Sequence, residues 1–443
     1  MGSDLFDPTN QKNLIALRDR AQNHLSEFGV TETKPAPSTA LILSGGGGKG
    51  AYEAGCMLAL WDCGLRKFKA IAGTSVGGLN AALFKRLHLE SDRNVVLRVW
   101  SDLRVSRILK GNLWTLVKVL LYFPVNILAL QRFPKPNQHM GNLEIEMERP
   151  WDWVVQFIKN FLSFYVPVIM GVVALVFFAL GFGYLFSVFG IDKSNFSLAA
   201  FGPLTLVLIP MLCRWASRRI GITSNAPLRK TVRKVYDKKL LKGDPEVIIS
   251  LATVPPNAYE STHAHYLTFA KITNEDEAIQ LLVQTAALPE IFPMRKIHGH
   301  DYVDGGVEDN TPILGVYPIQ PTRVIVIYLD DRYNLMLERR KKANYGVKFN
   351  DDEIVWDRDI ALKLWESSRL EVIAQRRGQT WEGPLRDWFW GLELVPVIPS
   401  RCLGNFITGT MNFSQRKARD LMALGYKDML NVLLAWQPRE SQA

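Results

Sequence analysis

The chain has 443 residues, 48% hydrophobic and 22% charged, a balance that excludes wholesale disorder and supplies enough apolar side chain for a large core. Lys and Arg number 53 against 43 Asp and Glu, a formal charge of +10, which suits an anionic membrane surface or nucleic acid and by itself selects neither. The four cysteines, Cys56, Cys63, Cys213 and Cys402, lack metal-ligand spacing and suggest reduced thiols in a cytosolic compartment, not a disulfide framework.

The N-terminal "MGSDLFDPTNQKN" carries no apolar h-region, so no secretory leader is expected, and Phe6 stands where the myristoylation pattern needs Ser or Thr. Residues 10–28 then place Leu14, Leu17, Ala21, Leu25 and Phe28 at helical spacing, the pattern of an amphipathic helix that docks on another element, before "TETKPAPST" breaks it. Apolar runs at 40–43, 68–72, 246–252 and 323–329 have strand length and are apolar on both faces, as in a central sheet covered by helices. Helical patterns follow the first two, and alternation of strand and helix predicts an α/β fold.

Between the second and third of these strands lies an apolar stretch. Residues 112–130 contain Lys118 and Pro124 and read as an interfacial or substrate-facing helix. The runs 161–191 and 194–213 carry no charge, and each meets the length of about 20 apolar residues that spans a bilayer. The short "DKSN" joins them as a hairpin, with spans expected at about 163–190 and 195–213. Lys159, Arg214, Arg218 and Arg219 on the outer flanks put both flanks in the cytosol by the positive-inside rule, with Trp151, Trp153 and Trp215 near the interface. Gly202, Pro203 and Pro210 leave a re-entrant form of the second run open. Further on, 332–378 is dense in both charges and includes the run Arg339, Arg340, Lys341, Lys342, which reads as a solvated helical face.

Two glycine motifs carry the chemistry. "SGGGGKG" at 44–50 follows the first strand and opens a helix, where free amides and the helix dipole favour an anion. Gly45, Gly47 and Gly50 fit G-x-G-x-x-G, but no acidic residue follows the second strand as a dinucleotide site requires, and Gly50 after Lys49 breaks the P-loop pattern. The second strand instead runs into Gly73-Thr74-Ser75-Val76-Gly77, a G-x-S-x-G between strand and helix, which is the setting of a nucleophile elbow.

A nucleophilic serine needs a base. Asp304 in "HDYVDGGVEDNTPI" is one candidate, because Gly305 and Gly306 make a tight turn that can hold a carboxylate against another loop. His298 and His300 nearby, and His263 and His265 further away, are the rivals.

"LSGGGGKGAYEAG" (43–55), "GTSVGG" (73–78), "AALPEIFPM" (286–294), "VDGG" (303–306) and the closing "FITGTMNFSQRKARDLMALGY" (406–426) resemble, in order and context, the patatin-like phospholipases. The resemblance covers 38–110 and 222–430. It implies an α/β hydrolase core of three layers, α/β/α, with the hydrophobic hairpin as an insertion. It further implies a Ser75–Asp304 dyad without an obligatory histidine, and an oxyanion hole from the amides of Gly46, Gly47 and Gly48. Gly45, Lys49, Gly50, Gly73, Gly77, Gly305 and Gly306 would support these motifs.

The resulting organisation is an N-terminal helix and linker (1–37), a first catalytic segment (38–110), the insertion (111–220) and a second catalytic segment with C-terminal helices (221–443). The expected protein is a membrane-embedded serine hydrolase of phospholipid or lysophospholipid esters, its catalytic domain on the cytosolic side. It needs no cofactor, metal or nucleic-acid partner, and no oligomer is called for. An acyltransferase or neutral-lipid lipase would share the same dyad. A non-catalytic lipid-binding protein and a dinucleotide-dependent enzyme are the readings from other classes.

Overall fold

The computed structural model describes residues 12–28, 38–108, 223–236, 238–254, 262–289, 291–331, 334, 347–350, 353–355 and 358–437. In chain order the elements begin with α1 (Lys12–Glu27), β1 (Thr39–Leu43), α2 (Gly50–Asp62), β2 (Ala70–Thr74), α3 (Val76–Glu90), α4 (Asn94–Asp102) and α5 (Val105–Ile108). They continue with α6 (Ala226–Val235), β3 (Glu246–Val254), β4 (His263–Thr268), α7 (Glu275–Thr285), β5 (Arg295–Ile297), β6 (His300–Asp304) and β7 (Arg323–Ile327). Last come β8 (Val347–Asn350), β9 (Glu353–Val355), α8 (Arg358–Arg376), α9 (Pro384–Gly391), β10 (Glu393–Val397) and α10 (Gln415–Ala435). Strands β8 and β9 form a separate two-stranded sheet.

Two compact units divide the chain. One is Met1–Lys110, Asn225–Leu288 and Arg295–Ala443; the other is Gly111–Ser224 with Pro289–Met294. The apolar runs 161–191 and 194–213, the stretch 112–130 and Cys213 lie outside the described residues. Among the described residues no helix is long and apolar enough to cross a membrane.

The larger unit is built on one mixed sheet. Strands β10, β7, β1, β2 and β3 run parallel in that spatial order. Successive side chains of a strand point to opposite faces, so strands buried on both sides must be apolar throughout. Ala40, Ile42, Ala70, Ala72, Val324 and Val326 face one layer, where Leu362, Leu370 and Ile373 of α8 and Leu385 and Phe389 of α9 complete a core. The alternate residues Leu41, Leu43, Ile71, Ile249, Ile325 and Ile327 are equally buried and point to the other face, which α3, α7 and α10 cover, with α2 packed against α3 and α10. The architecture is therefore α/β/α.

Helix α1 docks as the periodicity expects, through Leu14, Ala21 and Leu25 against α10. Phe28 lies past its end and is 46% exposed, so the apolar stripe stops one turn early. The larger departure is α8. Its charged sequence predicts a solvated face, yet Glu366 is fully buried and the Arg369 side chain is only 12% exposed.

Candidate active site

The sheet's register makes the site. Strand β3 has two edges, and β4 occupies one of them along 248–253. The other edge is shared: β2 pairs parallel with 246–250, and β6 pairs antiparallel with 251–254. Two strands thus approach head-on along one edge of β3. The last residue of β2, Thr74, lies opposite Ser250, and the last residue of β6, Asp304, lies opposite Leu251. Ser75 follows Thr74 directly, so Ser75 and Asp304 meet where the two strand ends meet.

Ser75 has φ 55° and ψ −123°, a strained conformation for a residue with a Cβ, which costs on the order of 1–3 kcal/mol. Surrounding bonds hold it there. Its N–H donates to Thr285 Oγ1 at 2.9 Å, and that hydroxyl donates to Ser250 O at 2.6 Å, locking the elbow to β3. The preceding Thr74 hydroxyl donates to Asp309 O at 2.8 Å. Gly77 is required by close approach, since a Cβ there would come 2.4 Å from Leu43 O.

Asp304 is 1% exposed. Its Oδ1 accepts from Gly306 N–H at 2.7 Å, so the glycine turn grips one oxygen. Its Oδ2 is buried without a partner of standard hydrogen-bond geometry. Burial pushes the carboxyl up to about 7, while the Gly306 amide and the neighbouring Ser75 side chain act in the opposite direction. One carboxylate oxygen is thus fixed by the turn, and the other carries no hydrogen bond of standard geometry.

The glycine loop supplies the third part. Gly45 N–H donates to Asn310 O and Lys49 N–H donates to Gly46 O, whereas among the described residues the amides of Gly46, Gly47 and Gly48 donate to no acceptor. Gly47 has φ +57°, and a Cβ there would meet Thr410 O at 2.3 Å, so side chains are excluded by both conformation and space. The covering strand of chain is the π-helical turn Phe406–Thr410, part of the closing segment singled out in the sequence. Lys49 leads into Gly50, the first residue of α2, and its Cε lies beside Gly409. Both α2 and α3 start at the site, and their positive ends favour negative charge developing between them.

The histidines stand apart. Among the described residues none hydrogen-bonds to Ser75 or Asp304. His265 accepts from or donates to Tyr302 Oη at 2.9 Å and is held down at about 4, chiefly by burial and the nearby Arg377. His298 pairs with Glu277, His300 is exposed against the Tyr302 ring, and His263 opens β4. Sequence reasoning gave no role to Thr285, Asp309 or Asn310, although the turn-forming "DNTP" after the Asp-Gly-Gly turn was a usable signal.

No curated protein matches the chain. A solved structure, that of VipD from Legionella pneumophila, is similar at 14% identity and a TM-score of 0.38, covering 90% of this chain and 67% of that one. The patatin-like phospholipase family matches residues 41–157 and 205–317, just over half of the chain, and the interval between the two segments contains the uncharged run 161–191. The chain therefore belongs to the patatin-like phospholipase family, the lipid acyl hydrolases, and carries its glycine loop, serine elbow and Asp-Gly-Gly turn on a mixed α/β sheet.

Proposed function

We propose that the chain is a membrane-held serine hydrolase that cleaves the ester bonds of glycerophospholipids or lysophospholipids with a Ser75–Asp304 dyad. The observation that carries this reading is the head-on approach of β2 and β6, which sets Ser75 beside a buried carboxylate with one unengaged oxygen. With its pKa raised to about 7, Asp304 is a far better base than an ordinary carboxylate.

Asp304 takes the Ser75 proton as Oγ attacks the acyl carbonyl. The carbonyl oxygen becomes an oxyanion held by the amides of Gly46, Gly47 and Gly48, a contribution of about 3–4 kcal/mol per donor. The intermediate collapses by breaking the ester C–O bond, and the departing glycerol oxygen takes the proton from Asp304. Water then gives a proton to Asp304 as it attacks the acyl-enzyme. The fatty acid leaves, and Ser75 regains its hydrogen.

The uncharged runs 161–191 and 194–213 would hold this chemistry at the cytosolic leaflet, where the substrate is concentrated; support comes from their length and, for the first run, from its place in the break in the family match between 157 and 205. Fatty-acid release from phosphatidylcholine and lysophosphatidylcholine vesicles tests the activity. The native chain should release fatty acid and Ser75→Ala should not; equal release by both would refute the reading. Deleting 160–214 should free the chain from membranes with Ser75 still labelled by a fluorophosphonate. A truncated chain that sediments with membranes after a salt wash would remove the anchor from the account.

A further inference from the structure

The eight residues from Asp304 to Thr311 touch every part of the site. Asp304 is the base. Asp309 O accepts from the Thr74 hydroxyl, next to the nucleophile. Asn310 grips the glycine loop from both directions: its O accepts from Gly45 N–H at 2.9 Å, and its Nδ2 donates to Gly45 O at 3.1 Å. The Thr311 and Ser44 hydroxyls lie 2.9 Å apart one residue further on. Base, nucleophile and oxyanion loop are thus tied to one short segment.

That segment is itself anchored by charge. Asp309 is fully buried, and it accepts from Arg369 Nη1 at 2.6 Å, Tyr266 Oη at 2.5 Å and its own turn's Thr311 N–H at 3.1 Å. Arg369 also donates through Nη2 to Thr311 O at 2.8 Å and through Nε to Glu366 at 2.8 Å. Tyr328 donates to the other Glu366 oxygen at 2.8 Å. The planar guanidinium therefore fixes two points of the segment, Asp309 and Thr311, on either side of Asn310. A buried ion pair contributes little net stability, because desolvation offsets most of the attraction, but its directional bonds fix geometry. Arg369 lies outside both segments of the family match.

We infer that Asn310 and Arg369 are positioning residues of the acyl-transfer site, Arg369 setting the 309–311 backbone and Asn310 transmitting that setting to the oxyanion loop at Gly45. This inference rests on the hydrolase reading. An oxyanion hole acts only if its amide nitrogens lie about 2.7–3.1 Å from the transition-state oxygen, and a misplacement of about 1 Å costs on the order of 100-fold in rate.

The test uses the full chain in detergent micelles, with kcat and KM for p-nitrophenyl butyrate expressed per active site titrated by a fluorophosphonate. Asn310 is exposed, so Asn310→Ala leaves the core intact. It should lower kcat per titrated site by about 10- to 100-fold, with KM within about twofold and an unchanged pH midpoint. Arg369→Gln should show the same split, and Arg369→Lys should recover part of the loss. If Asn310→Ala and Arg369→Gln lower only melting temperature and the titratable fraction, with kcat per titrated site unchanged, their role is structural and the inference is overturned. A native chain that neither labels nor hydrolyses the ester overturns the hydrolase reading and the inference with it, an outcome distinct because the native chain itself is then inactive.

Discussion

The serine half of the site and the aspartate half are held by different balances of the same forces, with a buried ion pair, among the described residues, only in the second. Around Ser75 and the glycine loop, position is set by exclusion: backbones pass so close that any Cβ at Gly47 or Gly77 would fall about 2.4 Å or less from a carbonyl oxygen. Around Asp304 the same exclusion acts at Gly305, where a Cβ would come 2.4 Å from Ser250 O, but charge is added to it, through an ion pair of Asp309 with Arg369 five residues on, beside the glycine-turn amide on one Asp304 oxygen. Exclusion leaves a signature in the sequence, because only glycine satisfies it. Attraction can be supplied from anywhere in the chain, here from a helix 60 residues beyond Asp309.

Substitutions can break that contrast in order of expected size. Ser75→Ala should reduce hydrolysis by at least about 1,000-fold with little change in stability, read from ester turnover and thermal melting. Arg369→Leu strips Asp309 of its cation in a fully buried position and should cost about 3–5 kcal/mol in denaturant unfolding. Adding Asp309→Asn to that variant should return part of the loss, which would mark the aspartate half as charge-held.

Gly47→Ala should cost about 1–3 kcal/mol through the clash with Thr410 O, and it should impair turnover, since the loop must move to admit the methyl. A neutral effect there would mean the serine half is not set by exclusion.

The smallest effect has the opposite sign. The folded state raises Asp304 from 3.8 to about 7, so folding takes up a proton between those values. The stability this group contributes is full below pH 3.8 and is lost as pH rises through 7. Asp304→Asn should accordingly stabilise the chain by about 0.5–2 kcal/mol at pH 8, with the gain disappearing near pH 4. Melting curves at the two pH values would show it.

What could be read from the sequence follows the same division. Strands β1, β2, β3 and β7 were visible because burial on both faces demands unbroken apolar runs, and the elbow was visible because a strand running into Gly-Thr-Ser-Val-Gly admits few other structures. The short β5 and β6 were not, since Arg295, Lys296, His298 and His300 are exposed and leave no periodic pattern. Thr285 was illegible as the latch of the elbow, because nothing local distinguishes a threonine that bonds across a sheet. Arg369 was hidden within a helix whose charge density reads as solvent-facing; its partners Asp309 and Glu366 are distant or themselves part of that density.

The central claim is that one carboxylate, without a histidine, activates Ser75. Its most direct test is the rate of fluorophosphonate labelling of the full chain as a function of pH, for the native protein, Ser75→Ala, Asp304→Asn, His265→Gln and His300→Ala. Labelling should rise with pH through a midpoint of about 7 as Asp304 becomes ionised, should survive both histidine substitutions with that midpoint, and should vanish in Asp304→Asn and Ser75→Ala. Labelling that persists in Asp304→Asn, or disappears with either histidine, would contradict the dyad.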